Sequence, residues 1–132
     1  MEEVYQFFKD NNVFYLATTE GDQPRVRPFG AVALYEGKLY ICTNNKKSVF
    51  QQMKANSKVE ICGMDSKGGW LRVEAEAIPD SRIEAKEAML EENPGLKNMY
   101  SADDDIYEVL YLKNATASFN SFGSDKRVVK FS

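Results

Sequence analysis

Residues 25–43, Arg25-Val26-Arg27-Pro28-Phe29-Gly30-Ala31-Val32-Ala33-Leu34-Tyr35-Glu36-Gly37-Lys38-Leu39-Tyr40-Ile41-Cys42-Thr43, hold two largely apolar runs on either side of the pair Glu36-Gly37. Runs rich in β-branched and aromatic residues about a Gly-containing pair predict a tight antiparallel hairpin. One strand is expected from about Arg25 to Tyr35 and the next from Lys38 to Thr43. Working toward the N-terminus, Glu20-Gly21-Asp22-Gln23-Pro24 reads as a turn, and Val13 to Thr19 as a strand too short and too β-branched for a helix. Before it, Val4, Tyr5, Phe7 and Phe8 fall on one helical face that Asn11-Asn12 can stop.

Toward the C-terminus, Asn44 and Asn45 can cap a helix whose inner face carries Val49, Phe50 and Met53, closed by Asn56. Lys58 to Met64 predicts a strand, Ser66-Lys67-Gly68-Gly69 a turn, and Trp70 to Ile78 a further strand. In that last stretch Leu71, Val73, Ala75 and Ala77 alternate with Arg72, Glu74 and Glu76, the pattern of a half-buried strand. Pro79-Asp80-Ser81 is expected to open a helix running to about Glu92, with Asn93-Pro94-Gly95 as its stop and a helical turn at Leu96 to Tyr100. Ser101 to Asp105 lacks the alternating oxygen ligands and closing Glu of a calcium loop and reads as a solvated loop. Ile106 to Phe122 is long enough for one bent strand or two. Gly123 to Lys126 then turns, and Arg127 to Phe131 closes the chain as a strand.

The sum is a mainly β protein with flanking helices (α+β): six or seven mostly antiparallel strands, about three helices, and a closed or nearly closed barrel. At 132 residues the chain holds one domain, residues 1–132. Its hydrophobic fraction of 43% and charged fraction of 28% are those of a globule with an ordinary core.

Several classes of chemistry fall away. The sequence contains no histidine, which removes Ser-His-Asp and Cys-His catalysis and His-based zinc or haem ligation. Cys42 and Cys62 form no CxxC motif and read as small buried hydrophobes. A net charge of −3 gives no expectation of nucleic acid. With no apolar run of membrane-spanning length and no basic, apolar leader after Met1, the expected setting is the cytoplasm, without a membrane partner. Tyr35, Tyr40, Tyr107 and Tyr111 read as strand packing, and Glu74 and Glu76, with Arg72 beside them, as a solvated face.

What remains is Thr43-Asn44-Asn45-Lys46-Lys47-Ser48, where a strand hands over to a helix. A helix start carries unpaired N–H groups and roughly half a positive charge. Two lysines there oppose that field unless an anion is present, and with the hydroxyls of Thr43 and Ser48 the cluster suits a phosphate. The alternative is that Lys46 and Lys47 face water and the helix begins a residue or two away. A second irregularity is Arg27-Pro28-Phe29-Gly30. Arg25 and Arg27 share a strand face, Pro28 removes a ladder donor, and Gly30 permits close approach to the backbone. That reads either as an edge or bulge, or as a second cationic wall beside Lys46-Lys47, with Phe29 and the main chain facing something flat.

The order and spacing of these segments resemble the FMN-binding split-barrel proteins related to pyridoxamine 5′-phosphate oxidase, particularly the small bacterial members. The resemblance runs over nearly the whole chain: the opening helix, Phe14-Tyr15-Leu16-Ala17-Thr18, Arg27-Pro28-Phe29-Gly30, Thr43-Asn44 into Lys46-Lys47-Ser48, and Trp70 to Ala77. It implies FMN as cofactor, with Arg27 reaching the phosphate, Pro28, Phe29 and Gly30 lining the ring through their backbone, and Thr43 and Asn44 beside the ribityl chain. It further implies Lys46, Lys47 and Ser48 as the phosphate grip. Trp70 would lie near the flavin, contributed across the interface of a homodimer, although it also fits a structural anchor. The implied activity is FMN-dependent oxidation or reduction of a small molecule, with an electron donor such as NAD(P)H. The alternative is an FMN carrier or small-ligand-binding, stress-related protein on the same fold. The vitamin B6 oxidase proper carries an Arg-x-His pair near its C-terminus. This chain ends Lys126-Arg127-Val128-Val129-Lys130-Phe131-Ser132, so the resemblance does not extend to pyridoxamine phosphate oxidation itself.

Overall fold

The computed structural model describes residues 1–123 and 126–132, so the middle of the turn expected over Gly123 to Lys126 lies outside the described residues. In chain order the elements are α1 (Glu2–Asn11), β1 (Phe14–Glu20), β2 (Gln23–Phe29), β3 (Val32–Tyr35), β4 (Lys38–Asn44) and α2 (Ser48–Ala55). They continue with β5 (Lys58–Met64), β6 (Trp70–Asp80), α3 (Ile83–Glu92), a 3-10 turn at Pro94–Asn98, β7 (Tyr107–Asn120) and β8 (Arg127–Phe131).

All strand pairs are antiparallel and form one eight-stranded sheet in the order β2-β1-β5-β6-β7-β4-β3, with β8 added to β7. The expected hairpin is present, with Tyr35 paired to Lys38. Glu36 and Gly37 both take positive φ, 50° and 73°, as the commonest two-residue hairpin turn requires. The strand expected from Arg25 to Tyr35 is instead two, because Gly30 and Ala31 leave the ladder. That break makes eight strands rather than six or seven. It also places β2 and β3, two residues apart in sequence, at opposite ends of the sheet order. So short a link forces the sheet to curl until its two edges come together, a barrel left split along that seam.

The interior is filled from both periodicities. Phe14, Leu16, Leu39, Ile41, Ile61, Leu71, Val73, Leu110 and Leu112 point inward from the strands, and α1 and α2 close over them with Val4, Phe8, Phe50 and Met53. Gly63 makes room for α1, since a Cβ there would stand 3.2 Å from the Phe8 ring. The stretch expected as one bent strand or two, Ile106 to Phe122, holds a single bent strand, β7. Between the pairs Glu74–Thr116 and Glu76–Lys113, β7 advances one residue more than β6, and Asn114 takes φ of 52°. This bulge switches the inward set from Leu110 and Leu112 to Ala115 and Ala117, so that β7 pairs first with β4 and then with β8.

On the outer face, Ala85, Met89 and Leu90 of α3 cover Ala33, Tyr40, Tyr107 and Val109. Burial on both faces explains why β4 reads as a continuous apolar run. The end of α3 also protects the edge of β3. Glu92 accepts the Leu34 N–H at 2.8 Å, and the Asn93 carboxamide donates to the Val32 carbonyl at 3.0 Å.

Pro79 and Asp80 do not open a helix. They finish β6, paired with Leu110 and Val109, and α3 begins at Ile83. The reason lies in the Asp80 carboxylate, which accepts the Tyr40 hydroxyl at 2.7 Å and Arg82 Nη2 at 2.9 Å, while Arg82 reaches on to Glu36 in the hairpin turn. The Arg82 guanidinium holds the Asp80 carboxyl at about 2, against an ordinary 3.8. A carboxyl depressed in the folded state stabilises the fold fully above its unfolded value, and that stability drains away as pH falls through the folded value. The shift corresponds to about 2 kcal/mol. Urea unfolding should therefore show wild type losing about that much from this carboxyl between about pH 6 and about pH 1.5, while Asp80→Asn starts lower and lacks this part of the pH dependence.

Candidate functional site

A cavity of about 610 Å³ opens where the split in the barrel meets the end of α3. One wall is Arg27, Pro28, Phe29, Gly30 and Ala31, the chain that crosses the seam. Its floor is Cys42 and Thr43 from the end of β4, with Lys47 and Val49 from the start of α2. The facing wall runs from Glu92 through Leu96 to Met99 and Tyr100. The volume is within the range of small-molecule and cofactor sites, roughly 300–1,000 Å³.

Arg27 is fixed by neutral oxygens. Its Nη1 donates to the Leu16 carbonyl at 3.2 Å and to the Thr18 hydroxyl at 2.7 Å, and its Nη2 donates to Gln52 Oε1 at 2.7 Å. No carboxylate among the described residues pairs with it, whereas Arg25, two residues earlier, is tied to Glu20 at 3.0 Å. Burial, and secondarily Arg25, presses the Arg27 pKa down, yet a guanidinium remains charged at any physiological pH. The result is a half-buried cation on a largely apolar cavity wall.

The asparagines do not cap α2. Asn44 remains in β4, paired with Tyr107. Its side chain accepts the Lys46 N–H at 3.0 Å and donates to the Tyr100 hydroxyl at 2.7 Å. Asn45 donates to the Asp105 carbonyl and to Glu108. The helix therefore begins at Ser48, with Lys47 as an extended N-cap, no capping side chain and no acidic residue in the first turn. The N–H groups of Ser48 and Val49 have no hydrogen-bond partner among the described residues.

The structure thus brings Arg27, Pro28, Phe29, Gly30, Thr43 and Lys47 to one cavity, joined at its rim by Asn44 through Tyr100. Lys46 is exposed in the preceding turn, and Ser48 faces a separate groove with Thr19 and Asn56. The Phe29 ring turns inward, 6.0 Å from Phe14, leaving its main chain toward the cavity. Trp70 lies elsewhere in this chain, beside Phe122 at 5.4 Å. β2 does not pair with β4, so Arg27 reaches Lys47 across the seam and not along a hairpin.

Glu92, Asn93, Leu96 and Tyr100 are cavity residues that the sequence reading treated only as a helix end and its stop. Glu92 is engaged by the Tyr5 hydroxyl and the Leu34 N–H. Tyr100 stacks on Tyr107 with 5.2 Å between centroids. The available signal was an aromatic residue placed just after a Pro-Gly stop, which becomes informative only once α3 is known to end over the seam.

Residues 1–117 match the family described as pyridoxamine 5′-phosphate oxidase. No curated protein matches the chain. Among solved structures, a NimC/NimA family protein from Clostridium acetobutylicum is 53% identical, with a TM-score of 0.97 over 99% of this chain and 92% of that one. A protein from the same organism, related to general stress protein 26 of Bacillus subtilis, is 16% identical with a TM-score of 0.75, covering 98% and 93%. An FAD-binding protein from Mesorhizobium loti is 17% identical with a TM-score of 0.58, covering 91% and 94%. The last two likenesses are of fold alone.

The two thiols differ in a measurable way. Burial at the cavity floor pushes the Cys42 thiol up to about 12, with Lys47 opposing only weakly, while burial raises Cys62 on the outer face of β5 less far. Alkylation with iodoacetamide at about pH 8, followed by peptide mass spectrometry, should find Cys42 roughly a hundredfold or more slower than a free thiol and slower than Cys62.

Proposed function

The chain belongs to the pyridoxamine 5′-phosphate oxidase family, and from that premise we propose that it is a cytoplasmic, homodimeric FMN-binding oxidoreductase acting on a small molecule. The observation that carries this reading is the uncompensated Arg27 guanidinium on the same cavity as the uncapped, lysine-bearing start of α2.

The residues present fit the cofactor. A phosphate dianion would be held by Arg27, Lys47, the free Ser48 and Val49 N–H groups and the Thr43 hydroxyl, the donor set a helix-start anion site needs. A flat ring would be held by the main chain of Pro28 to Gly30 and the facing Leu96, Met99 and Tyr100. Added side chain at Gly30 would project toward open space, with only the Asn12 carbonyl oxygen near, at 4.0 Å.

When bound, FMN supplies the redox chemistry. The chain's own part is to bind, orient and limit water. Arg27 and Lys47 would hold the anionic end and the seam backbone and facing apolar wall the ring, while Asn44 fixes Tyr100 at the rim. Of the cavity's titratable groups, Glu92 is engaged by the Tyr5 hydroxyl and the Leu34 N–H, and burial keeps the Cys42 thiol protonated.

The dimer reading is supported by the outer face of β2, β1, β5 and the start of β6. Val26, Tyr15 and Met64 are 68%, 52% and 61% exposed, and the register places Pro28 beside Tyr15 and Trp70 beside Met64 on that same face. A second copy seated there covers this apolar patch and carries its Trp70 toward the neighbouring cavity. Sedimentation should give twice the chain mass, and Tyr15→Asp with Val26→Asp should shift it to one.

The purified protein should titrate with FMN to a flavin spectrum that NADH or NADPH bleaches and a small acceptor restores. Failure to bind FMN overturns the reading, and binding without bleaching by either nicotinamide reduces it to a carrier. Lys47→Glu should weaken FMN binding by about tenfold to a hundredfold, as loss of a charged hydrogen bond of ~1.5–3 kcal/mol implies, and Lys46→Glu should change it far less.

A further inference from the structure

Two polar side chains of the barrel interior remain without a part in the cavity as described. Thr18 on β1 is 3% exposed and Gln52 on α2 is 7% exposed, among the few buried polar residues of the molecule. They bond to one another, the Thr18 hydroxyl donating to Gln52 Oε1 at 2.6 Å, and each accepts from Arg27, at 2.7 Å in both cases. With the Leu16 carbonyl they form a three-oxygen cradle on one side of the guanidinium.

The chemistry of that cradle is particular. A buried arginine is commonly matched by a carboxylate, which satisfies its hydrogens and cancels its charge together. Here every acceptor is neutral. Three of the five guanidinium N–H groups are occupied, and Nε–H and one Nη2–H have no partner among the described residues. The side chain is oriented without being discharged, its remaining donors are claimed by no described residue, and Arg27 lines the cavity.

Resting on the proposed function, we propose that Gln52 and Thr18 are positioning residues that preserve Arg27 as an anion receptor, and so make the site select a phosphate-bearing flavin over its uncharged counterpart. Gln52 is decisive because its amide oxygen accepts from both Thr18 and Arg27. Replacing that carboxamide with a carboxylate of the same shape retains the geometry and quenches the charge. A methionine of similar length removes the acceptor and leaves the charge loosely held.

The test is the ratio of FMN to riboflavin affinity, measured by titrating each flavin into wild type, Gln52→Glu, Gln52→Met and Thr18→Val, with thermal unfolding recorded for each. Wild type should prefer FMN by a hundredfold or more. Gln52→Glu should bring the ratio within about tenfold of unity while riboflavin affinity moves less than about threefold, and Gln52→Met and Thr18→Val should fall between. A purely structural role lowers both affinities together, leaves the ratio unchanged and overturns the inference. If Gln52→Glu fails to fold, an unchanged ratio in both Gln52→Met and Thr18→Val overturns it equally. A wild type that binds FMN no better than riboflavin removes the phosphate reading itself, which is a different failure. Loss of preference in Arg27→Ala but not in Gln52→Glu retains that reading and discards the cradle.

Discussion

Two residues, Gly30 and Ala31, join strands that stand at opposite ends of one hydrogen-bonded sheet, and most of the molecule follows from that constraint. A link of two residues spans at most about 10 Å, so β2 and β3 have to be neighbours in space although they share no ladder. The sheet accordingly curls, its inward side chains meet in a single core, and the seam stays open. The same seam supplies one wall of the cavity, since the backbone that crosses it is unpaired and free to face a ligand. α3 is drawn to the place because the free edge of β3 needs partners, which Glu92 and Asn93 provide.

Electrostatic partnership separates the structural cations from the candidate functional ones. Arg25, Arg72, Arg82 and Arg127 each meet a carboxylate on the surface or at a junction. Arg82 ties a turn, a strand end and a helix start into one joint. Arg27 differs in kind, because its partners are a carbonyl, a hydroxyl and an amide. A protein that leaves a half-buried charge uncancelled loses some stability by doing so, which an anion in the proposed site would recover.

The strands were legible where a local pattern sufficed. Leu71, Val73, Ala75 and Ala77 alternate with charged residues, and Glu36-Gly37 is flanked by apolar runs, so both the β6 strand and the β3–β4 hairpin could be read directly. The break at Gly30-Ala31 was not legible as such, because apolar residues continue on both sides and only long-range pairing shows that they belong to different edges. Asn44 and Asn45 carry the usual signature of a helix cap. Their side chains are instead recruited by Tyr100, Asp105 and Glu108, partners about sixty residues away, and α2 starts later as a consequence. Pro79-Asp80 has the signature of a helix opening, yet pairing with Leu110 and Val109 and the Tyr40 hydroxyl's bond to Asp80 keep it extended.

By itself the sequence determined the class of the fold, the absence of histidine chemistry, and the concentration of cations at 25–27 and 46–47, because these depend on composition and short-range periodicity. Only the tertiary structure decided which of those cations share a cavity. Arg27 and Lys47 face the same space and Arg25 and Lys46 do not, since orientation at a seam is set by where two distant strand edges are made to meet. Only the tertiary structure, too, brought the far end of α3 over that space, and set Thr18 and Gln52 behind Arg27 as neutral acceptors in place of a cancelling carboxylate.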